Sequence, residues 1–153
     1  MALNIRKLGL KDQKALAVLT QEDRDFDIPG RGEPQPALQG AAARRYLGNP
    51  LLCHWVAEEK GKILGFLCGY YLPMRSAKGD EFLLYETGVR KAHRGRGVGK
   101  ALMKTMFDWM ESNRIPVVWV IADNPGALKF YGKCGFEKVE GSLTQMERRL
   151  SGT

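Results

Sequence analysis

Thr87 to Met103 reads TGVRKAHRGRGVGKALM, and its residue order sets how the chain folds around it. An apolar run, Phe82-Leu-Leu-Tyr85, leads in, and an amphipathic helical pattern leads out. Gly95, Gly97 and Gly99 lie between them, interleaved with Arg90, Lys91, Arg94, Arg96 and Lys100. A strand, a glycine-rich turn and a helix start in that order aim successive backbone N–H groups at one point. The helix N-terminus adds partial positive charge there, so the stretch reads as a phosphate cradle. A Walker A loop would need glycine at Arg94 and Ser or Thr at Ala101, and it has neither. A dinucleotide fingerprint from Gly95 would need glycine where Lys100 stands. R-x-x-G-x-G, Arg94 to Gly99, is what remains.

Composition bounds the rest. With 153 residues, 44% apolar and 27% charged, the chain suits one soluble domain with a single substantial core. No apolar run approaches the ~20 residues of a membrane span, and the start, MALNIRKLGL, lacks the apolar core of a signal peptide. Cys53, Cys68 and Cys134 are odd in number and lack C-x-x-C spacing. They read as buried thiols of a reducing cytoplasm, not as a disulfide framework or a zinc site. A net charge of +7 suggests nucleic acid when taken bluntly. Its distribution points elsewhere, because Arg90, Lys91, Arg94, Arg96 and Lys100 sit on the phosphate loop itself. Glu22, Asp23, Asp25, Asp27 and Glu33 face only Arg24 and Arg31 locally, which gives an acidic segment suited to a cationic substrate.

Leu3 to Leu8 alternates as a first strand, and Asp12 can cap a helix carrying Ala15, Leu16, Val18 and Leu19. Asp25 to Pro36 is rich in Pro and Gly and reads as a loop, with a second helix from about Pro36 to Leu47. Leu52–Ala57 and Ile63–Leu72 form a hairpin about Glu58–Gly61. Glu81–Val89 is the next strand, and Lys100–Asn113 a helix with Met103, Met106 and Met110 as core filler. Val117–Ile121 reads as a buried strand of parallel character. A short helix with Pro125 in its first turn stops near Gly135, and Phe136–Val139 with Thr144–Arg149 can form a last hairpin.

Val117 to Phe136, VVWVIADNPGALKFYGKCGF, supplies a second signature: strand, Asn, then a helix carrying A-x-x-x-Y-x-x-x-G-F. Together with R-x-x-G-x-G, in this order and separation, it resembles the GNAT superfamily of acetyl-CoA-dependent N-acetyltransferases over roughly residues 82–139. The resemblance implies one α/β domain over residues 1–153, with substrate-side helices and loops at about 10–50. It implies a mixed sheet of about six to seven strands, splayed between the fourth and fifth and flanked by about four helices. It further implies acetyl-CoA as co-substrate, no metal, a homodimer, and no membrane or nucleic-acid partner. Gly88, Val89, Arg94, Gly95, Arg96, Gly97, Val98, Gly99, Lys100, Asn124 and Tyr131 become the cofactor-binding set. Pantetheine would pair with the Thr87–Val89 main chain like an added strand, and an N–H near Val89 would polarise the thioester carbonyl. Asn124 would bond pantetheine, cap the next helix, or do both.

Tyr131 matches the tyrosine that donates to the leaving coenzyme A sulfur. Full transfer from an ordinary tyrosine to a thiol near ~8.5 is uphill by about 2 kcal/mol, so it is a donor to developing charge. The attacking amine must shed a proton, at about 4–5 kcal/mol for an alkylamine at neutral pH, and Glu86 is the candidate base. His54, in a strand, and His93, in the basic loop, are weaker bases by position.

Tyr70-Tyr-Leu-Pro73, Glu81-Phe-Leu-Leu-Tyr85-Glu86 and Tyr46-Leu-Gly-Asn49 are similar to stretches of the type I aminoglycoside 3-N-acetyltransferases. Glu86 stands where that family has aspartate, and Thr87-Gly88 where it has Leu-Ala. A polycationic aminosugar wants carboxylates, and Asp25, Asp27, Glu86 and Asp123 are the substrate-binding candidates. Three functions stand: direct transfer in a ternary complex to a small cationic amine such as an aminoglycoside; transfer to protein N-termini or lysines; and a non-enzymatic acetyl-CoA-binding or nucleic-acid-binding module. Asn124, Tyr131 and Glu86 together argue against the last.

Overall fold

A computed structural model describes residues 2–26, 35–141 and 143–150. The chain falls into two compact units, residues 1–121 and 122–153. The first holds β1 (Asn4–Lys7), α1 (Gln13–Gln21), a 3-10 turn (Asp23–Phe26), α2 (Gly40–Leu47), β2 (Leu52–Glu59), β3 (Lys62–Leu72), β4 (Glu81–Val89), a second 3-10 turn (Lys91–His93), α3 (Val98–Ser112) and β5 (Val117–Trp119). The second holds α4 (Pro125–Lys133). The sheet runs β1-β2-β3-β4-β5, with β1 to β4 antiparallel and β5 parallel to β4. Among the described residues it has five strands, fewer than expected, because residues 136–141 and 143–150 form none. The reason is compositional. In Thr144–Arg149 only Met146 is apolar, so the segment has no face to bury, and Met146 is 89% exposed.

Local chemistry explains most boundaries. Lys60 and Gly61 adopt φ of 50° and 76°, so a two-residue turn joins β2 to β3, and the strands pair through Glu59↔Lys62. Asp12 stands before α1 without capping it, since its carboxylate accepts from the Gly9 N–H and from Arg6 Nη1, each at 2.7 Å. α2 starts later than expected because Gln39 is extended (φ −134°, ψ 158°). α3 starts earlier, at Val98, directly after left-handed Gly97. β5 is parallel as expected but exposed at Val117 and Trp119, so it is not a buried strand.

Each sheet face is covered by helices. Trp55, Phe82 and Trp109 meet edge-on or tilted, with Leu102, Met103 and Met106 fully buried on α3. A Cβ on Gly65 would come within 2.9 Å of Val98 Cγ1 and 3.0 Å of the Gly88 carbonyl, so glycine there lets α3 approach the sheet. On the other side Leu16, Leu19, Ala43 and Leu47 of α1 and α2 join Val56, Phe66 and Cys68 in one core. Cys53 and Cys68 are buried thiols, whereas Cys134 is partly exposed, contrary to expectation.

Arg90 corrects the reading of the basic loop. It is buried, and its Nε donates to the Ile63 carbonyl at 2.5 Å. Its Nη1 and Nη2 reach Asp25 (3.0 Å) and Glu22 (3.3 Å), and the guanidinium lies over Phe26, 4.9 Å from the ring centre. One cation of the loop therefore fastens the acidic turn to the end of β4.

Candidate active site

β4 builds the site through its register. Thr87↔Leu67 and Glu86↔Cys68 pair regularly, then Leu84 faces Gly69, so Tyr85 is an extra residue on β4. Such a bulge bends the strand. Pairing with β5 covers only Glu81↔Val117 to Leu83↔Trp119, and β4 runs six residues past it to Val89, with no strand on that edge among the described residues. The Arg90 N–H donates to the Leu64 carbonyl at 2.8 Å, so Arg90 and Leu64 are a hydrogen-bonded pair. By the antiparallel alternation, Val89 and Thr87 then turn their N–H groups away from β3, toward the open edge. Val89 thus offers a main-chain donor, and its carbonyl accepts from Arg94 Nε at 3.1 Å.

The loop after β4 suits a pyrophosphate. Gly95 and Gly97 have φ of 76° and 84°, and among the described residues nothing lies within 4 Å of where a Cβ would stand on either. Glycine is required there by conformation, and the space is open for a ligand. The first helical bond of α3 runs from the Ala101 N–H to the Gly97 carbonyl, so the N–H groups of Val98, Gly99 and Lys100 precede it. Arg94, Arg96 and Lys100 are exposed around this end, and Val98 is buried and anchors it. Gly88 has a different cause. A Cβ there would sit 2.9 Å from Phe66 Cε1 and 3.0 Å from Phe26 Cβ, so its smallness admits Phe26.

Glu86 shares the α1/α2 face of the sheet. It lines a cavity of about 170 Å³ with Leu16, Leu19, Thr20, Asp23, Leu38, Tyr46, His54 and Phe66. Tyr85 stands edge-on to Tyr70 at 6.1 Å between ring centres, a placement the bulge permits. The Tyr46 hydroxyl is 2.9 Å from His54 Nδ1 and 3.5 Å from Cys68 Sγ. Burial lowers the His54 pKa to about 4 and raises that of Cys68 to about 12, so the ring is neutral and the thiol protonated. Burial also pushes Tyr46 well above its ordinary value. His54 and Tyr46 escape sequence reasoning as a pair, since the β2–β3 register sets His54 beside Cys68 and only the packing of α2 on the sheet brings Tyr46 to both; a histidine inside an otherwise apolar strand was the available signal.

The remaining candidates divide. Asp25, expected on the substrate, binds Arg90 and the Lys91 N–H, which hold its pKa down. Asp27 lies outside the described residues. In the second unit Asn124 caps α4, its Oδ1 accepting from the Ala127 N–H at 2.8 Å. Its Nδ2 donates to Asp123 at 3.0 Å. Tyr131 is buried against Phe130 and Phe136, ring centres 5.6 and 5.4 Å away. Burial first, then Asp123 and Cys134, raises its pKa to about 12.

The pattern of the acetyltransferase (GNAT) family matches residues 16–136. An uncharacterised N-acetyltransferase of Methanocaldococcus jannaschii is 33% identical over 100 residues, 61% of this chain and 44% of that protein. The N-alpha-acetyltransferase RimI of Mycobacterium tuberculosis is 32% identical over 114 residues, 73% of this chain and 68% of that one. The chain spans about half the length of the first of these relatives and of several others. A crystal structure of an aminoglycoside acetyltransferase from an uncultured soil metagenomic sample matches with a TM-score of 0.81 at 25% identity, covering 99% of this chain and 100% of that one.

Proposed function

Since the chain belongs to the acetyltransferase (GNAT) family, we propose that it moves an acetyl group from acetyl-CoA to a primary amine of a small cationic acceptor, most concretely an aminoglycoside. The observation that carries this reading is the end of β4. It joins a main-chain donor at Val89, an N–H-rich glycine loop after it and a carboxylate, Glu86, on the wall of a cavity.

Each residue then has a task. N–H groups from Gly97 to Lys100 take the pyrophosphate, with Arg94, Arg96 and Lys100 adding charge. The Val89 N–H stabilises the oxygen of the carbonyl under attack. Glu86 accepts the proton of the acceptor's ammonium, directly or through water, and so frees the nitrogen lone pair. Nitrogen bonds to the acyl carbon and sheds its second proton as the carbon–sulfur bond breaks, and the departing sulfur takes up that proton, directly or through water. Tyr131, with a pKa near 12, holds its own proton firmly. Against a thiol near 8.5, full transfer is uphill by about 5 kcal/mol, so it stabilises the sulfur by donating a hydrogen bond. Asn124 keeps one Nδ2 hydrogen for pantetheine beside its capping and Asp123 bonds.

Thiol release from acetyl-CoA tests this against gentamicin-type, apramycin-type and kanamycin-type aminoglycosides, spermidine, and peptides with free N-termini or lysines. Turnover of aminoglycosides alone supports the proposal. Likeness to RimI favours a second reading, acetylation of peptide N-termini, and turnover of peptides alone would establish that instead.

A further inference from the structure

The end of β4 rests on an irregular piece of sheet. β2 and β3 pair Ala57↔Gly65 and then Glu58↔Ile63, so Leu64 is an extra residue on β3. Gly65↔Val89 is the pair just before it, and β4 has no strand on its other edge there among the described residues. A bulge disrupts the ladder locally. Val89, the proposed donor to the acyl oxygen, therefore has one neighbouring strand, and that strand is distorted beside it.

Arg90 compensates. Its main-chain N–H donates to the Leu64 carbonyl at 2.8 Å, and its side-chain Nε donates to the Ile63 carbonyl at 2.5 Å. One residue thus holds both carbonyls at the bulge. Nη1 and Nη2 reach Asp25 and Glu22, and the guanidinium lies over Phe26. Phe26 in turn meets Phe66 edge-on and packs against Gly88, where a Cβ would stand 3.0 Å from its own. The guanidinium fork is planar and rigid, so these bonds fix where the end of β4 lies. A buried ion pair is often replaceable by an apolar side chain at little cost in stability. Here the Glu22 and Asp25 side chains are 50% and 43% exposed, so losing the guanidinium would not strand them. Geometry accounts for the arginine better than stability does.

We infer that Arg90 is a positioning residue for acetyl transfer, touching no reacting atom but aiming the Val89 N–H by clamping β4 to the β3 bulge and to the turn at Asp23–Phe26. The inference rests on the proposed role of Val89 and adds the side chain that sets it. An oxyanion donor acts only within hydrogen-bond reach of the developing charge, and a misplacement of about 1 Å can cost ~10²-fold.

The test uses Arg90→Met, which keeps the length and loses the fork, and Arg90→Lys, which keeps the charge but has one nitrogen for three oxygen partners. Thiol release at saturating acetyl-CoA and gentamicin gives kcat, and calorimetry gives the Kd of acetyl-CoA. Amide hydrogen exchange at Val89, with and without acetyl-CoA, reads the donor itself. Arg90→Met should lose about tenfold or more in kcat, with Kd within about threefold because the α3 N–H groups are untouched. Acetyl-CoA should slow Val89 exchange much less in it than in wild type, and Arg90→Lys should fall between the two. A merely structural arginine would lower the melting temperature and leave kcat per folded molecule and Val89 protection at wild-type values. That result overturns the inference, as does a loss confined to Kd. Arg90→Lys decides by the same readouts if Arg90→Met does not fold. Failure of the proposed function looks different. Acetyl-CoA that binds wild type without slowing Val89 exchange removes the oxyanion role, and the inference with it. A protected Val89 without aminoglycoside turnover removes only the acceptor, and exchange in the variants still decides on Arg90.

Discussion

The two ends of β4 side by side show how differently two halves of one site are made. On the donor side, from Val89 to Lys100, the chemistry is main chain: N–H groups and left-handed glycines within one short stretch. On the acceptor side Tyr46, His54, Cys68 and Glu86 come from α2, β2, β3 and β4 and meet only after the sheet has formed. Main-chain sites tolerate side-chain change at any one position except where conformation demands glycine or, as proposed for Arg90, a side chain holds the strand. Side-chain sites concentrate their function in single groups. The acceptor half should therefore be the more fragile to point substitution.

Glu86→Gln tests that most severely. As the sole proposed base it should cost 10²- to 10⁴-fold in kcat/KM, in the range of general base catalysis. The deficit should widen toward low pH, where neutral amine is scarcest. A loss that is uniform across pH would make Glu86 a binding group. On the donor side Arg96→Ala should cost much less, about tenfold or below in KM for acetyl-CoA, because the α3 N–H groups remain. A larger loss from Arg96 than from Glu86 would reverse the comparison.

Stability separates the same two regions. Folding lowers the His54 pKa from 6.5 to about 4 by burial, so between these values the unfolded chain binds more protons than the folded one. Stability should fall as pH drops through that window and level off below it, by about 3 kcal/mol in all. Urea titrations of wild type and His54→Gln across pH 4–7 check this, the variant giving the flatter line. Asp12 and Asp25 have pKa values held below 3.8, so their loss of stability comes at lower pH and does not blur the window.

The same division decided what the sequence could reveal. Gly95, Gly97 and the β4–loop–α3 order were legible because a main-chain cradle needs its residues next to one another. β4 was bounded correctly because an apolar run and the β-branched Thr87 and Val89 lie between a polar connection and the glycine loop. Arg90 was counted among the cations of the phosphate loop and Asp25 expected on the substrate, and their mutual pairing was not legible because it joins positions 65 residues apart. The Tyr85 bulge leaves no compositional trace, and it places Tyr85 beside Tyr70. A last hairpin was inferred where apolar residues are sparse; turn signals alone do not make a strand.

Asn124 gives the smallest effect and the finest division between structure and function. Its Oδ1 caps α4, and its Nδ2 carries the hydrogen proposed for pantetheine. Asn124→Ala removes both and should cost about 1 kcal/mol of stability together with some acetyl-CoA affinity. Asn124→Asp keeps an accepting oxygen over the Ala127 N–H, and its charge suits the helix N-terminus, so α4 should be stable in it. It loses the donor, however, and sets a second carboxylate beside Asp123. Thermal melts should therefore rank Asn124→Asp above Asn124→Ala, while KM for acetyl-CoA should rise in both. A normal KM in Asn124→Asp would leave the residue with its cap alone, and recognition of pantetheine would then fall to the open edge of β4.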